Sequence, residues 1–102
     1  KVSSSGGGTT FYVDFERIRK HDGLVYWWSL TKYSIPLRGY VSDKTYYQGD
    51  CKLYRFKSLS VSSHKEPMGG GIGRIRNKQD KEWRYTPLNS PLEMTLKSVC
   101  SR

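Results

Sequence analysis

The sequence predicts a single α+β domain: one antiparallel β-sheet of about five or six strands with one C-terminal helix packed on one face. Three observations favour this class. Aromatic residues make up 14% of the chain and alanine is absent, a composition typical of pleated sheet. A helix-start signal stands at Ser90. Two cysteines, Cys51 and Cys100, are placed to join the sheet to that helix.

A Ser- and Gly-rich segment opens the chain. Residues 1–10 contain the run SSSGGGTT, which has nothing to bury, so we expect a flexible N-terminal tail followed by one domain over residues 11–102. The chain carries no initiator Met or signal peptide, which is expected of a mature or trimmed form. Its longest apolar run, residues 24–28, is far too short to cross a bilayer.

Alternating apolar and polar residues predict the first strands. Residues 11–18 alternate as a half-buried strand does. Asp22-Gly23 is a strong hairpin-turn signal, and residues 24–33 follow it as a central strand. Residues 34–49 contain Pro36 and Gly39 and are expected to form a loop.

The longest predicted strand covers residues 51–62. Its alternation places Cys51, Leu53, Leu59 and Val61 on one face, with Tyr54 and Phe56 on the other. Arg55 and Lys57 share the parity of the cysteine, a local conflict that a β-bulge would resolve. Two short strands follow, near residues 72–76 and 83–85.

The C-terminal helix has the clearest local signal. Ser90, Pro91 and Glu93 form a capping box with proline at the first helical position. The apolar residues that follow recur at helical spacing on one stripe, which also holds the second cysteine: Leu92, Leu96, Val99 and Cys100. A disulfide between Cys51 and Cys100 is therefore predicted, the alternative being two unrelated free thiols.

The excess of positive charge indicates which classes of binding partner the chain would attract. The net charge of +9 favours polyanions such as anionic glycans, acidic proteins or nucleic acid, the alternative being solubility alone. A cysteine pair of this kind indicates an exported chain, in the periplasm, on the cell surface or secreted. We predict a basic patch made of the following residues: Arg17, Arg19, Lys20, Arg74, Arg76 and Lys78.

No pattern predicts catalysis, a metal or a cofactor. The cysteines and the two histidines, His21 and His64, lack zinc-ligand spacing, and no nucleophile motif is present. Gly69-Gly70-Gly71 lacks the lysine and the helix of a phosphate loop, so a turn is the better interpretation. The basic and aromatic run at 52–57 is typical of single-strand nucleic-acid binders, but core aromatics beside solvated cations explain it better.

Apolar residues on both sides of the central strand predict association. Tyr26 and Trp28 lie on one side, and Tyr54 and Phe56 are expected to extend that face. A helix of three turns cannot cover both faces of the sheet, and soluble monomers seldom expose such a patch. We therefore predict a homo-oligomer joined through this face, the alternative being a sheet that curls on itself.

Several short sequence segments, in their order along the chain, resemble those of the surface-adhesin protein E family of bacterial exported proteins. They are FYVD at 11–14, VYWW at 25–28, DCK at 50–52, MGGG at 68–71, WRYTP at 83–87 and VC at 99–100. The resemblance implies an antiparallel sheet with a C-terminal helix disulfide-linked to its concave face. It also implies a surface adhesin, of which the characterised member is dimeric and binds matrix proteins through basic residues.

These observations together predict an exported, non-enzymatic binding or adhesion module that recognises an anionic or matrix-like partner through basic surface loops. Two alternatives stay open. One is a self-associating structural subunit of a surface assembly, and the other is an exported nucleic-acid binder.

Overall fold

One antiparallel sheet and one helix form the fold. The computed structural model describes residues 3–4, 9–71, 73–75 and 79–101. Within them, eight strands share a single sheet. The bounds are β1 Ser3–Ser4, β2 Thr10–Val13, β3 Arg19–His21, β4 Leu24–Leu37, β5 Tyr40–Asp50, β6 Arg55–His64, β7 Arg74–Ile75, β8 Arg84–Tyr85 and α1 Pro91–Cys100.

The sheet is six strands wide, in the order β1-β2-β4-β5-β6-β7. The short strand β3 also pairs with β4, beyond the end of β2, and β8 pairs with β6 at the end away from β7. Every pairing is antiparallel. The predicted class is confirmed: an antiparallel sheet with one C-terminal helix.

Two hairpin turns organise the centre of the sheet. Asp22 and Gly23 take φ of 51° and 77°, and Arg38 and Gly39 take 52° and 82°, as in the turns that match the strand twist. The first turn confirms the Asp-Gly signal. The second shows that the loop predicted over residues 34–49 is wrong, because Tyr40–Asp50 is a central strand paired on both sides.

Two predicted strands have different bounds in the structure. Only the first part of residues 11–18 is extended, because Asp14 caps a 3₁₀ turn over Phe15–Arg17 by accepting a hydrogen bond from Glu16 N at 3.1 Å. Residues 51–54 form a turn, and β6 begins at Arg55. The turn is shaped by Asp50, whose carboxylate accepts hydrogen bonds from the backbone N–H groups of Lys52 and Leu53.

A bulge in β6 sets which side chains face the helix. Tyr46 pairs with Ser60 while Tyr47 pairs with Ser58, so Leu59 is the extra residue. The bulge resolves the parity conflict noted in the sequence. It also means that Phe56 pairs with Gly49, which lies beneath the helix. The Phe56 side chain is only 4% exposed. The prediction that Phe56 lies on the outer face is wrong.

The core lies between α1 and the face of the sheet that it covers, which we call the helix face. Val25 and Trp27 from β4 pack against Leu96 and Val99 from α1, and all four side chains are buried. Gly49 leaves room for this contact. A Cβ there would lie 2.7 Å from Cδ1 of Leu96, so the helix rests directly on the strand backbone.

The helix and its tether agree with the sequence. Ser90 is the N-cap and accepts a hydrogen bond from Glu93 N at 3.1 Å, with Pro91 in the first turn. Cys51 and Cys100 form the predicted disulfide, with Cα atoms 5.7 Å apart. The bond ties the turn after β5 to the last turn of α1.

Two predicted segments lie only partly within the residues that the structure describes. Of the predicted tail, Ser3–Ser4 pairs with β2, which begins at Thr10, while residues 1–2 and 5–8 lie outside the described residues. The flexible tail and its boundary stay predictions. Of the strand predicted near 72–76, Arg74–Ile75 is present, and Ile72 and Arg76 lie outside.

Candidate functional site: an aromatic and basic sheet face

The sheet face opposite α1, which we call the distal face, has a regular arrangement of side chains. Residues paired across antiparallel strands project to the same side, so the pairing register defines rows across the sheet. Three rows form the middle of the distal face. They are Arg19, Tyr26, Gln48 and Lys57; then Trp28, Tyr46 and Ser60; then Tyr12, Leu30, Lys44 and Ser62.

An aromatic cluster lies at the centre of this face. The rings of Trp28 and Tyr46 are 4.8 Å apart between centroids, and Tyr26 stacks on Tyr46 at 6.3 Å. All three side chains are half-buried although no helix covers them. They shield one another from water, which reduces the apolar area that the face exposes.

Basic side chains surround the cluster. Lys44 Nζ lies 4.7 Å from the Trp28 ring centroid, a cation–π contact. A second such site lies near β8, where Arg55 and Lys57 stand 4.7 Å and 4.9 Å from the centroid of Trp83. The distal face therefore combines aromatic rings with cations in direct contact.

Two adjoining grooves lie on the part of the face formed by β2 to β5. One, of about 370 Å³, lies between Tyr12, Leu30, Lys44 and the exposed Met68. The other, of about 500 Å³, lies beside Glu16, Ile18, Arg19 and Tyr46. Both grooves are also lined by Arg17 and Trp28, so these two side chains form the ridge between them.

Carboxylates only partly balance the positive charge. Asp14 pairs with Arg17 at 3.4 Å, and Asp50 pairs with Arg55 at 2.9 Å. Glu16 adds one more carboxylate at the second groove. Across the described ranges, Arg19, Lys44 and Lys57 make no ion pair with a carboxylate. The face keeps an excess of positive charge.

The surroundings of Asp50 change the pKa of its carboxyl group. Burial acts to raise its pKa, but hydrogen bonds from Arg55 and from the backbone of Leu53 and Lys52 outweigh burial, so the pKa is lowered. The ionised carboxylate holds the turn that carries Cys51.

The segment that follows β6 folds over one end of the distal face. Ser42 Oγ donates to the carbonyl of Glu66 at 2.8 Å and accepts from Gly69 N at 3.0 Å. The His64 ring contacts Ser62 Oγ at 2.7 Å through Nε2 and the Gly70 carbonyl at 3.2 Å through Nδ1. Since His64 is only 6% exposed, this serine–histidine pair anchors the segment that forms the groove wall.

The predicted basic patch is divided by the fold. Arg17 and Arg19 line the grooves of the distal face. Lys20 pairs with Val25 and projects to the helix face, and Arg74 lies on β7 at the far edge of the sheet. Arg76 and Lys78 lie outside the described residues. Sequence reasoning missed Lys44 because β5 was expected to be a loop.

The face predicted to join the subunits of a homo-oligomer is also only partly formed in the structure. Tyr26 and Trp28 lie together on the distal face. Tyr54 instead lies in the 51–54 turn, with φ of 49° and 42% exposure, and Phe56 lies on the helix face. The partners of Trp28 are Tyr46 and Lys44 on the neighbouring strand β5, over which the sequence predicts a loop.

Within the described part of the chain, no cluster of three or more His, Cys, Asp or Glu side chains is placed to hold a metal ion. The one helix found there is too short to span a membrane.

These features define a small, disulfide-linked sheet-and-helix domain with one broad aromatic and basic face. The chain belongs to the surface-adhesin protein E family, whose model matches residues 1–101. It is accordingly an exported surface protein of the adhesin class. The resemblance noted in the sequence is confirmed.

Solved structures share the fold. Crystal form II of Haemophilus influenzae protein E is 18% identical, with a TM-score of 0.73, over 99% of this chain and 92% of that one. Its Se-Met form is 16% identical, with a TM-score of 0.76, over 99% and 91%. Protein E from non-typeable Haemophilus influenzae is 18% identical, with a TM-score of 0.68, over 99% and 80%. No curated protein sequence matches this chain.

Proposed function

We propose that this domain is a non-enzymatic adhesion module that binds an anionic extracellular partner through its distal face. One observation carries the proposal. Arg19, Lys44 and Lys57 have no carboxylate partner among the described residues, and they surround the aromatic cluster on the sheet face that α1 leaves open.

The composition of this face supports a binding role. Trp, Tyr and Arg are the side chains that contribute most to protein interfaces, because they offer large contact areas and directed hydrogen bonds. Cations without partners attract a negatively charged ligand over distance and accelerate its encounter. The cation–π contact of Lys44 with Trp28 holds one such charge at the centre of the face.

Two neighbouring residues allow a matched test. Arg19 and Lys20 are adjacent on β3 and both exposed, but Arg19 projects to the distal face and Lys20 to the helix face. Arg19→Glu and Lys20→Glu change the net charge equally. We expect Arg19→Glu to elute from immobilised dextran sulfate at clearly lower salt than Lys20→Glu, since only Arg19 contacts the ligand.

The outcome is decisive in either direction. Equal shifts for the two variants would mean that net charge alone causes retention, and the distal face would be rejected as the binding site. Circular dichroism of both variants should match the parent chain, because both residues are exposed.

The predicted homo-oligomer stays a prediction. Tyr26, Trp28 and Tyr46 are already half-buried in the single chain, so they need a covering subunit less than the sequence indicated. Two distal faces would also bring like charges together, which opposes face-to-face pairing at low salt. The structure therefore supports a different, acidic partner better than a second copy of this chain.

A further inference from the structure

We infer that the distal face binds an extended acidic polysaccharide, a chain that carries sulfate or carboxylate groups separated by hydroxyl-bearing sugars. The inference rests on the proposed function and names the class of its ligand.

The shape of the site indicates a chain rather than a small molecule. The two grooves meet at the ridge of Arg17 and Trp28 and together occupy the part of the distal face formed by β2 to β5. A ligand that fills both must pass over that ridge. The Arg17 guanidinium there pairs with Asp14 at 3.4 Å through Nε but is exposed, so its other N–H groups can bind an anionic group.

One row of side chains offers positive charge at both ends and hydrogen-bonding groups between them. Arg19 and Lys57 stand at the ends, with Tyr26 and Gln48 between them, and three strand spacings of about 4.8 Å separate the ends by roughly 14 Å. Gln48 Nε2 donates to Tyr26 Oη at 2.8 Å, which leaves the phenolic hydrogen able to donate outward. Charged groups spaced along a hydroxyl-rich chain match this row.

Nucleic acid fits this face less well. Single-strand binders stack bases on aromatic rings, which requires an uncovered ring face. Trp28 is contacted by both Lys44 and Tyr46, at 4.7 Å and 4.8 Å from its ring centre. Trp83 is contacted by two cations. Cations thus already lie over the rings of both tryptophans.

An acidic protein segment also fits less well. The centres of protein interfaces are depleted of lysine and serine. The distal face instead places Lys44, Lys57, Ser60 and Ser62 beside its aromatic cluster. Such a polar surface suits sugar hydroxyl groups.

The test compares four soluble probes by calorimetry with the full chain, at an ionic strength of about 0.15 M. They are a size-defined heparin oligosaccharide, a hyaluronate oligosaccharide, poly-L-glutamate and an oligothymidylate, the last two matched in charge to heparin. We expect at least one glycan to bind about tenfold or more tightly than either non-glycan polymer. Preference between heparin and hyaluronate distinguishes sulfate from carboxylate as the anionic group.

Conservative variants add a second readout. Tyr26→Phe and Gln48→Ala keep the net charge and remove only hydrogen-bonding groups, so glycan binding should weaken severalfold while poly-L-glutamate binding is unchanged. Lys20→Glu on the helix face is the control and should affect glycan binding less than Arg19→Glu does.

Each other outcome overturns the glycan assignment. Equal affinity for all four polymers would show a charge-only surface, and tighter binding of oligothymidylate or poly-L-glutamate would assign the face to nucleic acid or to an acidic protein. In those cases the proposed function survives. Binding to none of them, or binding unaffected by Arg19→Glu, would contradict the proposed function itself.

Discussion

Gly49 and Leu96 are in direct contact between the sheet and the helix. A Cβ on Gly49 would lie 2.7 Å from Cδ1 of Leu96 and 2.8 Å from the ring of Trp27. Real Cβ atoms do not approach so closely, so the helix sits where it does because β5 has no side chain at this point. The disulfide at Cys51, two residues along, fixes the helix in the same place.

Gly49→Ala is expected to destabilise the fold. The added methyl group must displace Leu96 or Trp27, both fully buried, and overpacking of this kind costs about 1–3 kcal/mol. Urea unfolding followed by tryptophan fluorescence measures the loss. Gln48→Ala, one residue earlier and on the distal face, is the control and should change the stability less. An unchanged midpoint for Gly49→Ala would show that the helix does not rest on this strand.

Removal of the disulfide should destabilise the chain strongly. The bond closes a loop with a sequence separation of 49 residues. The chain-entropy relation gives about 4 kcal/mol for a loop of this size. We expect Cys51→Ser/Cys100→Ser to unfold at much lower denaturant than the oxidised parent. The reduced parent should behave like the double variant, and a midpoint equal to that of the oxidised parent would contradict the role of the bond as the helix tether.

The stability of the chain should fall in acid through Asp50. Its pKa is lowered in the folded state, because the hydrogen bonds from Arg55, Leu53 and Lys52 outweigh burial. The ionised form therefore stabilises the fold above the unfolded pKa of about 3.9, and this stabilisation is lost as the pH falls through the folded pKa.

Asp50→Asn tests this expectation. It should cost about 1–2 kcal/mol at neutral pH, because the charged hydrogen bond to Arg55 is lost, and it should flatten the acid limb of the stability profile. Thermal unfolding from pH 7 to pH 2 measures both effects. Asp22→Asn removes a carboxylate from an exposed hairpin turn and is the control, which should change the acid limb less than Asp50→Asn does. Identical acid limbs in the parent and in Asp50→Asn would count against this role.

Salt should control any association of the chain with itself. If two distal faces pair, the charges of Arg19, Lys44 and Lys57 oppose the contact and are screened as salt rises. We expect sedimentation at high micromolar concentration to show a larger share of dimer at about 0.5 M than at about 0.05 M salt. The 11.8 kDa species alone at both salts would refute the predicted homo-oligomer.

The candidate site was only partly predictable. Charge and alternation in the sequence identify Arg17, Arg19 and Trp28, which line the grooves, and Tyr26, which stacks on Tyr46 beside them. Lys44 and Tyr46 were missed because Pro36 and Gly39 indicated a loop over 34–49. The turn at Arg38-Gly39 needs only one glycine, and the buried polar residues of β5 hide its alternation.

Local signals in the sequence were sufficient for the helix, for the Asp22-Gly23 hairpin and for the cysteine pair. The first two depend on residues close together in the chain, a cap and a turn dipeptide, and the third depends on a cysteine that lies on the apolar stripe of the helix. The tertiary structure alone decided which residues share a sheet face. That depends on the bulge at Leu59, which shifts the register of β6 and turns Phe56 toward the helix while Lys57 joins the distal face. A shift of one residue reverses every side chain beyond it, and only pairing with β5 fixes its position.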